Sequence, residues 1–331
     1  CGIPVVVGEN VVGVDRKSEI KDGRIIKAPE LERRIDTYLR YYDGYGAIIV
    51  QMNVEDTRNG VAEYIAEKYA DKVIIELKWG QGAKNIGGEI QVKDIEYATF
   101  LKNRGYLVDP DPSLPEVQEA FKAGAITHFA RHSRLGYTAM NSAEEVEANF
   151  REEIDYLRKI GFKAISLKTG AYGMEALALA LKLAGSCKLD LLTVDGAGGG
   201  TGMSPWDMME QWGTPNILLH SKVYEYAALM AANGMHVPSI SLGGGLAKPS
   251  QIFKAMSLCA PFAKLVCMGR AMMIPGFLGS NIEGVLHPER RDERCGNWSS
   301  LPKVISDLGN SAETIFAGYH SLVAKVGKAE M

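Results

Sequence analysis

Leu189-Asp190-Leu191-Leu192-Thr193-Val194 is a largely apolar run that breaks into Asp195-Gly196-Ala197-Gly198-Gly199-Gly200-Thr201-Gly202. The run reads as a buried strand, and the five glycines in the next eight residues read as a loop. Downstream, helical spacing from about Leu218 to Asn233 leads to an apolar strand, Ser239 to Leu242, ending in Gly243-Gly244-Gly245. A helix over about Pro249 to Leu258 then leads to a third strand, Leu265 to Met268, ending in Gly269-Arg270. Strand, glycine loop and helix, repeated in that order, signal a parallel sheet whose loops gather at the carboxyl ends of its strands. Glycine at such ends lets backbone N–H groups turn toward an anion and approach it closely. In an eight-stranded β/α barrel, a phosphate site commonly lies on the loops after strands seven and eight. Either glycine turn alone also suits a plain strand-to-helix connection, but the pair at this spacing is read as a shared anion site.

The run Gly199-Gly200-Thr201-Gly202-Met203-Ser204-Pro205, with Gly244-Gly245-Leu246 and Gly269-Arg270, resembles the FMN-binding synthase domain of the glutamate synthase family. Upstream stretches join in the same order: Lys78-Trp79-Gly80-Gln81-Gly82-Ala83-Lys84 with Gly87-Gly88, then Arg131-His132-Ser133, then Ile165-Ser166-Leu167-Lys168. Val7-Gly8-Glu9 is similar to that family's Thr-Gly-Glu-Gly-Gly turn. The resemblance implies a (β/α)8 TIM barrel binding FMN. It sets Cys1 just before barrel strand two, so the first strand is expected upstream and the sequence is expected to be an excerpt of a longer protein. Cys1-Gly2-Ile3 also looks like the opening of a class II glutamine amidotransferase, but the later motifs of such an enzyme are not seen.

At 331 residues and 46% hydrophobic content, one barrel with insertions accommodates the whole of 1–331. A net charge of −3 gives no reason to expect nucleic acid or an anionic membrane surface as partner. No run of about eighteen apolar residues is present to span a bilayer. Five scattered cysteines without a CxxC are read as reduced thiols of a cytoplasmic protein. The resembled family holds a 3Fe-4S cluster on three closely spaced cysteines after its last barrel strand. Here that stretch is Met272-Met273-Ile274-Pro275-Gly276-Phe277-Leu278-Gly279, without cysteine. Electrons are therefore expected by another route, such as an electron-donor subunit.

Along the chain, Ile3 to Val7 reads as a strand and Asp15 to Lys27 as a polar surface excursion. Helices are expected over Pro29 to Tyr41 and Gly60 to Tyr69, with strands over Ala47 to Met52 and Val73 to Leu77. About 92–125 is longer than the family's usual connection. It is read as an inserted flap over the barrel mouth or a plain surface excursion, with a helix over Glu116 to Ala123. Ser142 and Glu145 form a capping box for a helix reaching Ile160, and Gly161 ends it. Ala164 to Leu167 is the next strand and Met174 to Leu183 the next helix. A polar tail segment, about 281–300, and a helix over Ser311 to Val326 follow.

Lys168, at a strand end, is the candidate cation for the N1–C2=O edge of a reduced flavin, which carries negative charge. The resemblance implies Gln81, Lys84 and Arg131 as substrate-site contacts for 2-oxoglutarate. Lys84 and Arg131 are expected on loops at the carboxyl ends of barrel strands, where two cations favour a dicarboxylate. His132 is a candidate proton donor or a loop brace, and Glu9 a candidate acid or base near substrate nitrogen. Asp195 either bonds ribityl hydroxyls or caps a turn. Gly200, Thr201, Gly202, Gly243, Gly244, Gly245, Gly269 and Arg270 complete the expected cofactor contacts. The histidines have no metal-like spacing, and no metal is expected.

The resemblance implies an FMN-dependent, glutamate-synthase-like oxidoreductase that reductively aminates a 2-oxo acid (2-oxoglutarate to glutamate) or runs the reverse oxidation. A glutaminase or electron-donor subunit is the expected partner, and the sequence leaves the oligomeric state open. The alternatives are a synthase-type subunit of a multi-subunit ligating system, such as methylamine–glutamate N-methyltransferase, and a non-catalytic flavin-binding scaffold.

Overall fold

A computed structural model describes residues 3–79, 90–132, 142–170, 173–199, 211 and 213–269. Among these residues the strands run, in chain order, β1 (Val5–Val7), β2 (Glu19–Lys21), β3 (Arg24–Lys27), β4 (Ile48–Met52), β5 (Ile74–Lys78), β6 (Ile90–Val92), β7 (Leu107–Asp109), β8 (Phe129–His132), β9 (Ala164–Gly170), β10 (Leu191–Asp195), β11 (Ser239–Gly243) and β12 (Ala263–Val266). Seven form one sheet in the order β1-β4-β5-β9-β10-β11-β12, every neighbouring pair parallel. Each strand joins the sheet beside its predecessor in the chain. A doubly wound sheet would reverse its order at a switch point, whereas continuous winding in one direction is the order of a β/α barrel. The fold is an α/β barrel, and seven of its eight expected strands lie among the described residues.

Alternation along the strands explains why this sheet forms a barrel with a polar interior. Ile75 and Leu77, Ile165 and Leu167, and Leu192 and Val194 are buried apolar residues in the main core. Between them come Glu76 and Lys78, Ser166 and Lys168, and Thr193 and Asp195, buried and polar. A period of two puts each set on one face of the sheet. The apolar face packs on helices such as Met174–Ser186, whose Leu177, Ala180, Leu181 and Ala184 are fully buried. Inside, the Glu76 carboxylate accepts from Gln51 Nε2 at 2.5 Å, Ser166 Oγ at 2.7 Å and Thr193 Oγ1 at 3.4 Å. These partners come from three other strands, so the buried charge is solvated by the barrel itself, as a buried carboxylate requires.

The elements depart from expectation where local signals were short. Asp15 to Lys27 contains an antiparallel hairpin, β2 with β3, whose Ile25 is buried and whose Ile20 packs on the core. A short helix, Val54–Asn59, precedes the expected one, which runs Val61–Tyr69, and Gly60 at φ 79° joins the two. The last strand begins two residues early, at Ala263. Ser142 does cap the helix Ala143–Lys159, accepting from the Glu145 amide at 3.1 Å. The polar tail and the helix expected over Ser311 to Val326 lie outside the described residues.

Between β5 and β9 stands a three-stranded antiparallel sheet, ordered β6-β8-β7. It has its own small core of Val92, Ala98, Leu101, Tyr106, Val117 and Phe129. Its contacts go to the segment after β1: Tyr97 OH donates to the Val14 carbonyl at 3.1 Å, Arg16 pairs with Asp94 at 3.3 Å, and Arg104 donates to the Ser18 carbonyl.

Candidate functional site

The carboxyl ends of the barrel strands hold two buried lysine–carboxylate pairs side by side. Lys168 Nζ lies 3.2 Å from Asp195 Oδ2, with side chains 8% and 5% exposed. Lys78 Nζ lies 2.6 Å from Glu9 Oε1, with side chains 5% and 15% exposed. Lys78 and Lys168 are register partners on β5 and β9, so the pairs face the same end of the barrel. Two buried ammonium groups on adjacent strands repel unless each has its own counter-ion, and here each does. Burial alone would lower the pKa of Lys168. Asp195, with Cys267 and Glu76 behind it, outweighs burial and holds the lysine above its usual value, so it stays protonated. Cys267 Sγ is 3.9 Å from Lys168 Nζ, and burial pushes this thiol up, against the pull of the lysine.

Asp195 has a structural duty as well. A Cβ on Gly199 would overlap its carboxylate, and one on Gly243 would come within 2.9 Å of Oδ1. The two glycine loops therefore close around the Asp195 side chain, which turns it toward Lys168. They also pack on each other: the Gly196 amide donates to the Gly243 carbonyl at 3.0 Å, and a Cβ on Gly244 would sit 2.6 Å from Asn216 Nδ2 and 2.8 Å from the Gly196 Cα. Gly244 and Gly245 have φ of 119° and 74°, which side chains rarely adopt. His220, buried in helix Asn216–Ala232, sits under the loop with Nε2 3.4 Å from the Gly243 carbonyl. Burial pushes its pKa down, so it braces the loop as a neutral imidazole.

Does this arrangement suit an FMN phosphate? Among the described residues, the amides of Gly244, Gly245 and Gly269 donate to no backbone carbonyl. Gly269 is exposed, and a Cβ there would meet nothing within 4 Å. The helix Pro249–Leu258 starts just past the first of these turns, with the Ala247 and Lys248 amides capped by Gln251. Amides on two adjacent turns without a backbone acceptor among the described residues, open space at Gly269 and a nearby helix N-terminus make a donor set that fits a phosphate.

Arg131 corrects the sequence expectation. It is not on a loop at the end of a barrel strand but on β8, the central strand of the small sheet, paired in register with Ile90 and Val108. An arginine motif and a short β-prone run look alike in sequence whichever sheet they join. Arg131 is 5% exposed, its guanidinium lies over the Tyr106 ring at 4.7 Å, and its Nε is buried without a hydrogen-bond partner. His132 ends β8, and its side chain lies outside the described residues. Gln81, Lys84, Gly200, Thr201, Gly202 and Arg270 also lie outside them. Sequence reasoning missed Lys78 as a partner of Glu9, although its strand-end position was the same signal used for Lys168.

This is a parallel β/α barrel with an anion-suited glycine cradle and a buried, protonated lysine at its carboxyl end. Residues 136–281 match the family model described as the conserved region in glutamate synthase, so this part of the chain is glutamate-synthase-like. The match supports a flavin-type oxidoreductase in general. No curated protein sequence matches the chain. Among solved structures it is similar to (S)-mandelate dehydrogenase, described as a monotopic membrane protein, at 15% identity and a TM-score of 0.35. That alignment covers 73% of this chain and 58% of the dehydrogenase, so the chain spans little more than half the length of that relative. It is also similar to an aldolase named QR15, at 11% identity and a TM-score of 0.31, covering 78% of this chain and 90% of that one. Among the described residues no helix is long and apolar enough to cross a membrane.

Proposed function

We propose that the chain is the FMN-binding, synthase-type barrel of an oxidoreductase that reductively aminates a 2-oxo acid, 2-oxoglutarate to glutamate, or runs the reverse oxidation. The observation that carries this reading is the protonated Lys168, buried against Asp195 at the strand ends that also carry glycine amides with no backbone acceptor among the described residues. The Gly244, Gly245 and Gly269 amides would hold the phosphate, and Lys168 and Asp195 would lie toward the ring and ribityl chain. Bound FMN would supply the two-electron hydride chemistry.

The chain's own residues do the rest. Lys168 keeps its proton because Asp195 faces it, and so offers a fixed positive end to negative charge developing nearby, at no cost of reorganisation. Glu9 and Lys78, in contact at 2.6 Å, form a pair that holds or gives a proton at the substrate nitrogen. Arg131 offers a buried guanidinium to a substrate carboxylate, with Lys84 as its proposed second cation. A glutaminase or electron-donor subunit would deliver nitrogen and electrons. The cysteine-free stretch Met272 to Gly279 favours a second version of this reading, a synthase-type subunit of a multi-subunit amino-acid ligating system.

The test is anaerobic. Protein titrated with FMN and chemically reduced is mixed with 2-oxoglutarate, ammonium or both, and the flavin absorption is followed. Return of the oxidised bands only with both reactants is the expected result. FMN binding without reoxidation would remove the reductive amination and leave the scaffold reading; absence of FMN binding would remove the flavin assignment itself.

A further inference from the structure

Tyr106 touches both halves of the candidate site, although it belongs to neither in sequence. It is 3% exposed, it precedes β7 in the small sheet, and its hydroxyl donates to Asn10 Oδ1 at 2.7 Å across 96 residues. Asn10 directly follows Glu9, and the same Oδ1 also accepts from Asn53 Nδ2 at 3.0 Å. The opposite use of Tyr106 is its ring face, which carries the Arg131 guanidinium at 4.7 Å. A cation over a desolvated aromatic face is attracted by the ring quadrupole. The Arg131 Nε is buried without a hydrogen-bond partner, and the Tyr106 ring face is a contact that helps to orient this guanidinium.

A second, independent feature points the same way. Gly13 lies in the short helix Val11–Val14 without a positive φ, so its backbone conformation does not call for glycine. A Cβ there would overlap the Tyr106 hydroxyl and lie 2.9 Å from Cζ. Glycine at this position serves to admit the phenol. Burial raises the pKa of Tyr106, so the group remains a donor.

We infer that Tyr106 is a positioning residue that couples the Arg131 guanidinium to the Glu9–Asn10 turn, setting the carboxylate-binding cation and the candidate acid–base group in register with each other. This rests on the proposed function for the roles of Arg131 and Glu9, while the seat itself is independent of them. The two functions of the side chain separate by substitution. Tyr106→Phe keeps the ring under Arg131 and removes the tie to Asn10. Tyr106→Leu removes both, and Gly13→Ala displaces the phenol from its site.

Two measurements test the inference. In anaerobic steady-state turnover of 2-oxoglutarate with ammonium, with FMN bound and excess dithionite as the electron source, Tyr106→Phe is expected to lower kcat about tenfold with KM for the 2-oxo acid within twofold of wild type. Tyr106→Leu is expected to raise that KM about tenfold as well. The second measurement needs no activity: modification of Arg131 by phenylglyoxal, followed by peptide mass spectrometry on the folded protein. Arg131 is expected to react at least tenfold faster in Tyr106→Leu and in Gly13→Ala than in wild type and Tyr106→Phe. Equal modification rates across the four proteins would overturn the seat. Equal kcat losses in Tyr106→Phe and Tyr106→Leu with unchanged KM would overturn the coupling while leaving the proposed function standing. A wild type without turnover but with the modification contrast intact would remove the proposed function and support the seat.

Discussion

Asp56 is buried to 3% exposure, and Asn10 and Asn53 both direct their backbone amides at its Oδ2, at 2.8 and 3.2 Å. Burial pushes its pKa from 3.8 up to about 7, against the pull of those two amides. A carboxyl whose folded value is raised binds more protons folded than unfolded between those limits. Stability therefore falls as pH rises from about 4 to about 7 and is level above that. At about 1.4 kcal/mol for each pH unit, the loss is at most about 4 kcal/mol. Urea unfolding at intervals from pH 5 to pH 8 should show this decline in wild type. Asp56→Asn, which keeps an oxygen acceptor for the two amides, should make it shallower, leaving the share of Glu153, whose pKa burial also raises to about 7, and the same slope in both proteins would rule Asp56 out as a cause. Neighbouring Tyr106 and Gly13 show how little of such a network is legible in sequence. Nothing local marks a glycine in a helix as space reserved for a hydroxyl more than ninety residues away.

The short helix Val54–Asn59 survives at six residues because its ends are fully served. Asn53 accepts from the Glu55 and Asp56 amides at 3.0 and 3.1 Å, and Asp56 answers the Asn53 amide to complete a capping box. A helix this short lacks the length to sustain itself by backbone bonds alone. Asn53→Ala should therefore cost about 1–2 kcal/mol in urea unfolding, at the upper end for a lost cap, because the Nδ2 bond to Asn10 goes with it. A loss below about 0.3 kcal/mol would mean that packing of Glu55, Asp56 and Asn59, all buried, maintains the helix without its cap. Longer elements were visible from their periodicity: Pro249–Leu258 matches its expected bounds, and Pro29–Arg40 ends one residue earlier than expected. The hairpin Glu19–Lys27 was not, since a polar run with few apolar residues carries little period-two signal.

Across the barrel mouth, the glycine loops combine two requirements that a single substitution would confuse. A side chain at Gly244 strikes Asn216 and Gly196 and forces a φ of 119°, so Gly244→Ala should weaken both the fold and FMN binding. Gly269 is open, so Gly269→Asp adds a carboxylate beside the expected phosphate without a clash. Its expected effect is a loss of FMN affinity by about ten- to a hundred-fold, the value of one charge-assisted contact, with unfolding free energy within about 0.5 kcal/mol of wild type. Flavin titration beside urea unfolding reads both quantities. Unchanged FMN affinity in Gly269→Asp would move the phosphate elsewhere on the barrel.

The order of strands, glycine turns and helices was readable from the sequence because each depends on residues within one element and its flanks. So was the placement of Lys168 and of the glycine pair near the carboxyl ends of their strands, which follows from position along the chain. Which carboxylate each lysine would meet was not. Lys78 finds Glu9 across 69 residues, Tyr106 finds Asn10 across 96, and Arg131 reaches its place on a second sheet. These pairings depend on strand register and on how the small sheet docks beside β1. Both are decided by burial summed over the whole molecule, which no local run of residues encodes.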